Sequence, residues 1–391
     1  MKIQSGLDVL IDRGFDLLRD RRLGLLAHAA SVNGELVHAQ SIFLDAGLDL
    51  RLLMGPEHGL SGGSQDMQAV EHQGGREIPI VSLYGKSIED LSPGPELLDQ
   101  IDLLVVDLQD IGSRYYTYAA SMLYSMRACA RAGVAVVVLD RPNPLGGKML
   151  EGPLLGEGFH SFVGEFPVPV RHGLTIGEMA RLASKGMDIE LTVIEMKGWR
   201  REMWFDQTGL PWVMPSPNMP SLDTAMVYPG SCLVEATNIS EGRGTTRPFE
   251  LVGAPWIDAR RLSRMMAGRV GAGARFRPVT FKPTFQKLRG KNCHGIQVHV
   301  TDRHVFEPFR FGLELLRTLL EIAPDQFSWR TEPYEFVSDR PAIDLLCGTD
   351  EVRLALESGA DCRDLWSRLQ EQAAAFGQAR GEFLLYGGDA A

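Results

Sequence analysis

Residues 50–63 read L-R-L-L-M-G-P-E-H-G-L-S-G-G. The apolar run from Leu50 to Met54 has the length and composition of a buried strand. It stops at Gly55-Pro56, where glycine allows unusual backbone angles and proline cannot donate to a sheet ladder. A carboxylate and an imidazole, Glu57 and His58, follow at once, and the residues after them are too small to hide them. Ligands of open α/β sheets bind just outside the carboxyl ends of strands. Glu57 is therefore the foremost candidate for a catalytic acid.

Other strand-like runs lie on both sides, at Leu23–Ala27, Ile78–Leu83, Leu103–Asp107 and Val134–Asp140. Amphipathic stretches separate most of them, among them Leu36–Ala46 and Tyr115–Ala132, the latter with Gly133 placed to end a helix. The spacing is roughly 30 residues, the length of a βαβ unit. This pattern predicts an α/β fold, a Rossmann-like parallel sheet. Residues 150–175 read as a Gly- and Pro-rich excursion, Thr175–Glu178 as a capping box opening a helix, and Asp188–Met196 as a strand. Residues 199–246 read as long loops, which in compact domains are usually functional. Beyond Pro248 come strands at Phe276–Phe281 and Gly295–Val300, then helices at Phe311–Ile322, Glu351–Ser358 and Asp361–Phe376. The expected division is a catalytic domain over residues 1–247 and a smaller α+β domain over 248–391 that closes the cleft.

A chain of 391 residues is longer than one core usually serves. The formal net charge of -10 argues against broad contact with nucleic acid or an anionic membrane surface. The five cysteines form no C-x-x-C pair, which fits a reducing compartment. No apolar run is long enough to span a bilayer, and residues 1–20 hold no secretory signal. As numbered, the chain is expected in the cytoplasm; a signal removed beforehand would make it periplasmic or secreted.

Several familiar signatures fail. No G-x-G-x-x-G follows the first strand, and Gly147-Lys148 is followed by Met149, so neither a dinucleotide nor a nucleoside triphosphate is expected as cofactor. No H-E-x-x-H motif occurs, and no metal is expected. Gly59–Gly63 matches G-x-S-x-G, the nucleophile elbow of α/β-hydrolases, which would make Ser61 a nucleophile. That elbow needs the serine at the strand-to-helix turn, whereas the strand ends at Met54. Carboxylates at expected strand ends are better supplied: Glu57, Asp107, Asp110, Asp140, Glu151, Glu235 and Glu241. Glycoside hydrolysis usually needs two of them, one to protonate the leaving oxygen and one as base or nucleophile. Tyr115, Tyr116 and Tyr118, after Arg114, are either a platform for a sugar ring or helix packing. On residues alone, the reading ends at a hydrolase-like cleft.

Longer stretches carry a resemblance. They are P-E-H-G at 56–59, D-L-Q-D-I-G-S-R-Y-Y-T-Y at 107–118, L-D-R-P-N-P-L-G-G at 139–147, E-G-P at 151–153 and P-V-R-H-G-L-T-I-G-E at 169–178. Further on come P-S-P-N-M-P at 215–220, T-N-I-S-E-G-R-G-T-T at 237–246, P-F-E-L-V-G-A-P-W at 248–256 and F-V-S-D-R-P-A-I-D-L-L at 336–346. In this set the chain resembles the NamZ family of exo-β-N-acetylmuramidases. The resemblance implies hydrolysis of the β-1,4 bond after a non-reducing terminal N-acetylmuramic acid in peptidoglycan fragments, with MurNAc-GlcNAc saccharides as substrates.

It implies Glu57, in P-E-H-G, as the general acid; Glu241 is chosen as the second catalytic group because S-E-G-R-G is polar and flexible, with Glu151 in reserve. Substrate contacts are expected from His58, Asp107, Gln109, Arg114, Tyr115, Asp140, Arg141, Asn143, Glu151, Asn218, Asn238 and Arg243. Muramic acid carries a lactyl carboxylate, for which Arg141 and Arg243 are the first arginines, with Arg114 and Arg171 behind them. The substrate's acetamido group could also attack the anomeric carbon, with Asp107 or Glu241 orienting it. The alternatives are a serine esterase using Ser61 and a non-catalytic muropeptide-binding protein.

Overall fold

The computed structural model describes residues 2–61, the backbone of 73–74, and 78–387. The strands are β1 (Leu23–Ala27), β2 (Leu50–Gly55), β3 (Gln73–Gly74), β4 (Pro79–Ser82), β5 (Leu103–Asp107), β6 (Ala135–Leu139), β7 (Leu191–Ile194), β8 (Leu251–Ala254), β9 (Ala274–Phe281) and β10 (Cys293–Val300). The first seven form one sheet in the order β3-β4-β2-β1-β5-β6-β7. All neighbours pair parallel except β3, which lies antiparallel on β4. This is the Rossmann-like α/β sheet that the run of Leu- and Val-rich segments predicts. β1, β5 and β6 are buried along their whole length, as strands covered on both faces must be.

The helices are α1 (Gly6–Asp12), α2 (Ala39–Asp45), α3 (Pro95–Leu98), α4 (Tyr118–Ala132), α5 (Ile176–Ser184), α6 (Leu222–Ser231), α7 (Ala259–Val270), α8 (Pro308–Ile322), α9 (Ala342–Cys347), α10 (Glu351–Glu357) and α11 (Cys362–Ala379). α4 ends where expected, at a left-handed Gly133. α5 opens on the expected capping box, with Thr175 and Glu178 each bonding the other's backbone N–H.

One reading is corrected. Residues 199–246 are not all loop, because α6 and a 3-10 turn (Cys232–Ala236) lie inside them. Pro229 and Gly230 sit within α6, and such residues read as breakers. Both have tertiary reasons. The Pro229 carbonyl accepts the Tyr115 hydroxyl, and a Cβ on Gly230 would overlap the Pro308 carbonyl, so α6 and α8 meet backbone to backbone. α1 and α7 are further helices that the periodicity did not single out.

The small sheet is antiparallel in the order β8-β10-β9, with α7 packed on β9. A continuous apolar cluster runs from Val106 and Met122 of the large sheet and α4 through Tyr228 of α6 to Ile296 and Leu315. A second cluster, with Leu10, Leu25, Phe43 and Val105, fills the opposite face of the large sheet. Among the described residues no helix is long and apolar enough to cross a membrane.

Candidate active site

After β2 the chain folds back sharply. His58 and Gly59 take left-handed backbone angles, φ 72 and 76, and a side chain at Gly55 would overlap the Leu60 amide. Left-handed angles in a non-glycine residue cost about 1–3 kcal/mol and gather at functional sites. The turn holds Glu57 buried at 4% exposure, facing a void beyond the sheet edge. The Thr117 hydroxyl, just before α4, donates to Glu57 Oε2 at 2.7 Å.

The facing wall is built from residues far away in sequence. Arg243 Nη2 donates to Glu235 Oε1 at 2.5 Å, and the Tyr334 hydroxyl donates to Glu235 Oε2 at 2.8 Å. Burial works to raise the Glu235 carboxyl, but the Arg243 charge and the bonds from Arg243 and Tyr334 outweigh it and hold the group below its ordinary value. Glu235 is therefore a fixed anion. The guanidinium of Arg243 also lies 4.9 Å from the centre of the Phe249 ring. Glu335 joins the same void, with the Tyr84 hydroxyl donating to its Oε2 at 3.0 Å. Glu335 and Phe336 again have left-handed angles, φ 45 and 67, in a strap closed by paired Tyr334 and Val337 backbone bonds.

The enclosed space is about 30 Å³, room for a water or two and not for a pyranose. Beside it, sharing Glu235, lies a cavity of about 620 Å³. Glu241 lies on this side of Arg243. Its Oε1 is 3.5 Å from Arg243 Nε and its Oε2 2.7 Å from Lys287 Nζ.

A different fate meets the polar residues at the ends of β1, β5 and β6. The direction of the sheet crossovers reverses between β1 and β5, where ligand crevices usually form. Here the chain itself fills the place. The Pro215 carbonyl takes the Tyr118 hydroxyl at 2.5 Å and faces His28 Nδ1 at 3.3 Å. His28 Nε2 accepts the Gln109 amide at 2.9 Å, which makes the ring neutral with its proton on Nδ1, and burial likewise pushes it well below its ordinary value. Arg141 donates to Asp107 at 2.5 and 2.8 Å and to the Val32 carbonyl. Only about 20 Å³ remains, beside Gln109, Arg141 and Trp212.

The sequence candidates thus separate into groups. Glu57, His58, Tyr115, Asn218 and Arg243 line the closed chamber, and Glu241 and Asn238 line the open cavity. Asn238 also holds the segment before the strap, exchanging hydrogen bonds with Gln326 and Ser328. Gln109 bonds the Asp110 and Pro142 carbonyls. Asn143 bonds Leu174 and Leu145, while Arg114 serves the carbonyls of Pro153, Val168 and Leu346. Glu151 pairs with Arg171 at 2.7 Å and caps the Phe309 amide. Asp140 accepts Thr175, Gly177 and Tyr386, and burial raises it to about 7. Ser61 is exposed in a turn. Glu235 stood among the strand-end carboxylates without being singled out, Tyr84 follows the strand-like run Ile78–Leu83, and Thr117 falls inside the 107–118 stretch, while Tyr334 and Glu335 carried no local signal. Among the described residues no cluster of His, Cys, Asp and Glu could hold a metal ion.

Two family models cover nearly the whole chain. "Exo-beta-N-acetylmuramidase NamZ, N-terminal" matches residues 23–223, and its C-terminal counterpart matches 226–386. The chain belongs to the NamZ family. Among NamZ relatives, the peptidoglycan beta-N-acetylmuramidase NamZ of Bacillus subtilis (strain 168) is 41% identical over 393 residues, 98% of this chain and 92% of that protein. Crystal structures of two DUF1343 family proteins from Bacteroides fragilis NCTC 9343 share the fold. The first has a TM-score of 0.88 at 31% identity and the second 0.76 at 28%, each covering 99% of both chains. In NamZ terms, Glu57 and Thr117 come from the N-terminal part, while Glu235, Arg243, Tyr334 and Glu335 come from the C-terminal part. The chamber is where the two meet.

Proposed function

We propose that this protein is an exo-acting β-N-acetylmuramidase that releases N-acetylmuramic acid from the non-reducing end of peptidoglycan-derived MurNAc-GlcNAc saccharides. The activity in the name of the Bacillus relative supports the reaction class. The observation that carries the residue assignment is the meeting of Glu57 with the Glu235–Arg243 pair around one enclosed void.

In this reading Glu57 is the general acid and gives its proton to the glycosidic oxygen as the bond to the anomeric carbon breaks. Glu235, kept ionised by Arg243, is the second carboxylate and stabilises positive charge building on the ring. Glu241 backs Arg243 from the outer side. Arg243 is also the arginine that lines the void, hence the partner for the lactyl carboxylate; Arg141, Arg114 and Arg171 are not among its lining residues. A sugar enters only when the strap around Tyr334 and Glu335 withdraws, since the void is far smaller than a pyranose. Residues 1–247 then supply the acid and residues 248–391 the closing strap.

Incubation with the MurNAc-GlcNAc disaccharide tests the proposal. Free N-acetylmuramic acid should accumulate with the wild type. Binding without release would make the protein a muropeptide-binding module instead.

A further inference from the structure

The cavity of about 620 Å³ is unaccounted for by the acid and its partner. Its size suits one or two sugar rings, within the range of about 300–1,000 Å³ typical of ligand sites. One end is Glu235, the anion it shares with the closed chamber. The floor carries Glu241 and Lys287, and the Lys287 ammonium is fixed by the carbonyls of Val234 and Thr237 at 3.0 and 3.1 Å. The outer wall is Ser328–Glu332, where Trp329 stands with its indole N–H bonded to Glu357 and its ring against Phe327. An indole held still by its neighbours, among amides, hydroxyls and two buried acids, suits a ligand with one apolar face and a rim of hydroxyls. Gln286, Ser328, Thr331 and Glu332 are exposed, so the cavity reaches solvent, and Glu57 is not among its lining residues.

Direction follows from enclosure. An enzyme that removes a terminal sugar must bury that sugar and leave the rest of the saccharide a way out. The chamber with Glu57 is the enclosed one, and the wall at Glu235 has a roomy cavity behind it. We propose, resting on the muramidase reading above, that this cavity seats the N-acetylated amino sugar on the reducing side of the scissile bond. Trp329 stacks on its apolar face, and the Asn238–Glu241 turn faces its hydroxyl and acetamido groups.

The test compares kcat/KM for the MurNAc-GlcNAc disaccharide with that for methyl β-N-acetylmuraminide, whose leaving group cannot fill the cavity. The wild type should prefer the disaccharide at least tenfold. Trp329→Ala should lower that preference tenfold or more. Thr331→Trp, at an exposed position that obstructs the cavity without touching the core, should do the same, with thermal unfolding used to check the fold. A preference that survives in both variants, or a wild type that handles both substrates equally, overturns the assignment. A wild type that cleaves neither overturns the muramidase reading instead.

Discussion

Two places at the carboxyl edge of the large sheet look alike in sequence and behave oppositely. Beyond β1, β5 and β6 the polar groups turn on one another: Arg141 closes on Asp107, the Gln109 backbone N–H on His28, and the Pro215 carbonyl fills what remains. Beyond β2 the acid Glu57 faces a void, across which stand an ion pair and two tyrosine-bound carboxylates. Burial is nearly equal in the two. The distinction lies in whether the polar atoms enclose protein or enclose space. The first arrangement stabilises a connection; the second keeps charge ready for something that is not protein.

That contrast can be broken by mutation. Glu57→Gln keeps the acceptor for Thr117 and removes the proton donor, so turnover should fall by about 10³-fold, within the range of general acid catalysis, while the unfolding midpoint stays put. A chromogenic muraminide gives the rate. Arg141→Met should show the reverse pattern. It strands Asp107 as a buried charge and should cost about 3–5 kcal/mol in denaturant unfolding, with kcat of the folded enzyme changed less than threefold. If Arg141→Met instead removes activity and spares stability, the crevice belongs to the site after all.

Tyr334→Phe takes one donor from Glu235 and should lower kcat by about tenfold, the worth of one hydrogen bond to a charged group. The smallest effect concerns pH. His28 is held neutral when folded but takes up a proton near its ordinary value of 6.5 when unfolded. Its folded value is the depressed one, so its share of stability is full above about pH 6.5 and is lost as the pH falls from there. The slope approaches about 1.4 kcal/mol per pH unit. His28→Gln, which keeps an acceptor for Gln109 and a donor for Pro215, should flatten that slope in urea titrations at pH 5–7 and leave the pH profile of kcat alone.

The sheet was legible because a parallel strand buried on both faces needs an unbroken apolar run, and Leu103–Asp107 or Val134–Asp140 can be little else. Glu57 was legible because a strand ending at Gly-Pro leaves the next side chain beyond the sheet edge. The same rule also pointed to Asp107, Asp140 and Arg141, which bond other protein groups, since a strand-end position does not say whether another chain segment will cover it. Beside Arg141 that cover is the stretch ending at Pro215, and at Asp140 it is the start of α5 with Tyr386, all distant in sequence. Glu235 was harder to single out because Pro229 and Gly230 disguise the helix that delivers it. Tyr334 and Glu335 ride on a strap whose shape depends on left-handed angles in non-glycine residues, for which composition offers no hint.

The touching backbones at Gly230 and Gly312 bear on the reaction as well as on packing. With no side chains between them to yield, the crossing leaves no room for a Cβ on either glycine and sets a datum for the turn that immediately follows. Glu235 is measured out from that datum, five residues downstream. A single added methyl there lies outside the lining of the void, yet it would shift Glu235 against Glu57, a fault transmitted through scaffold alone.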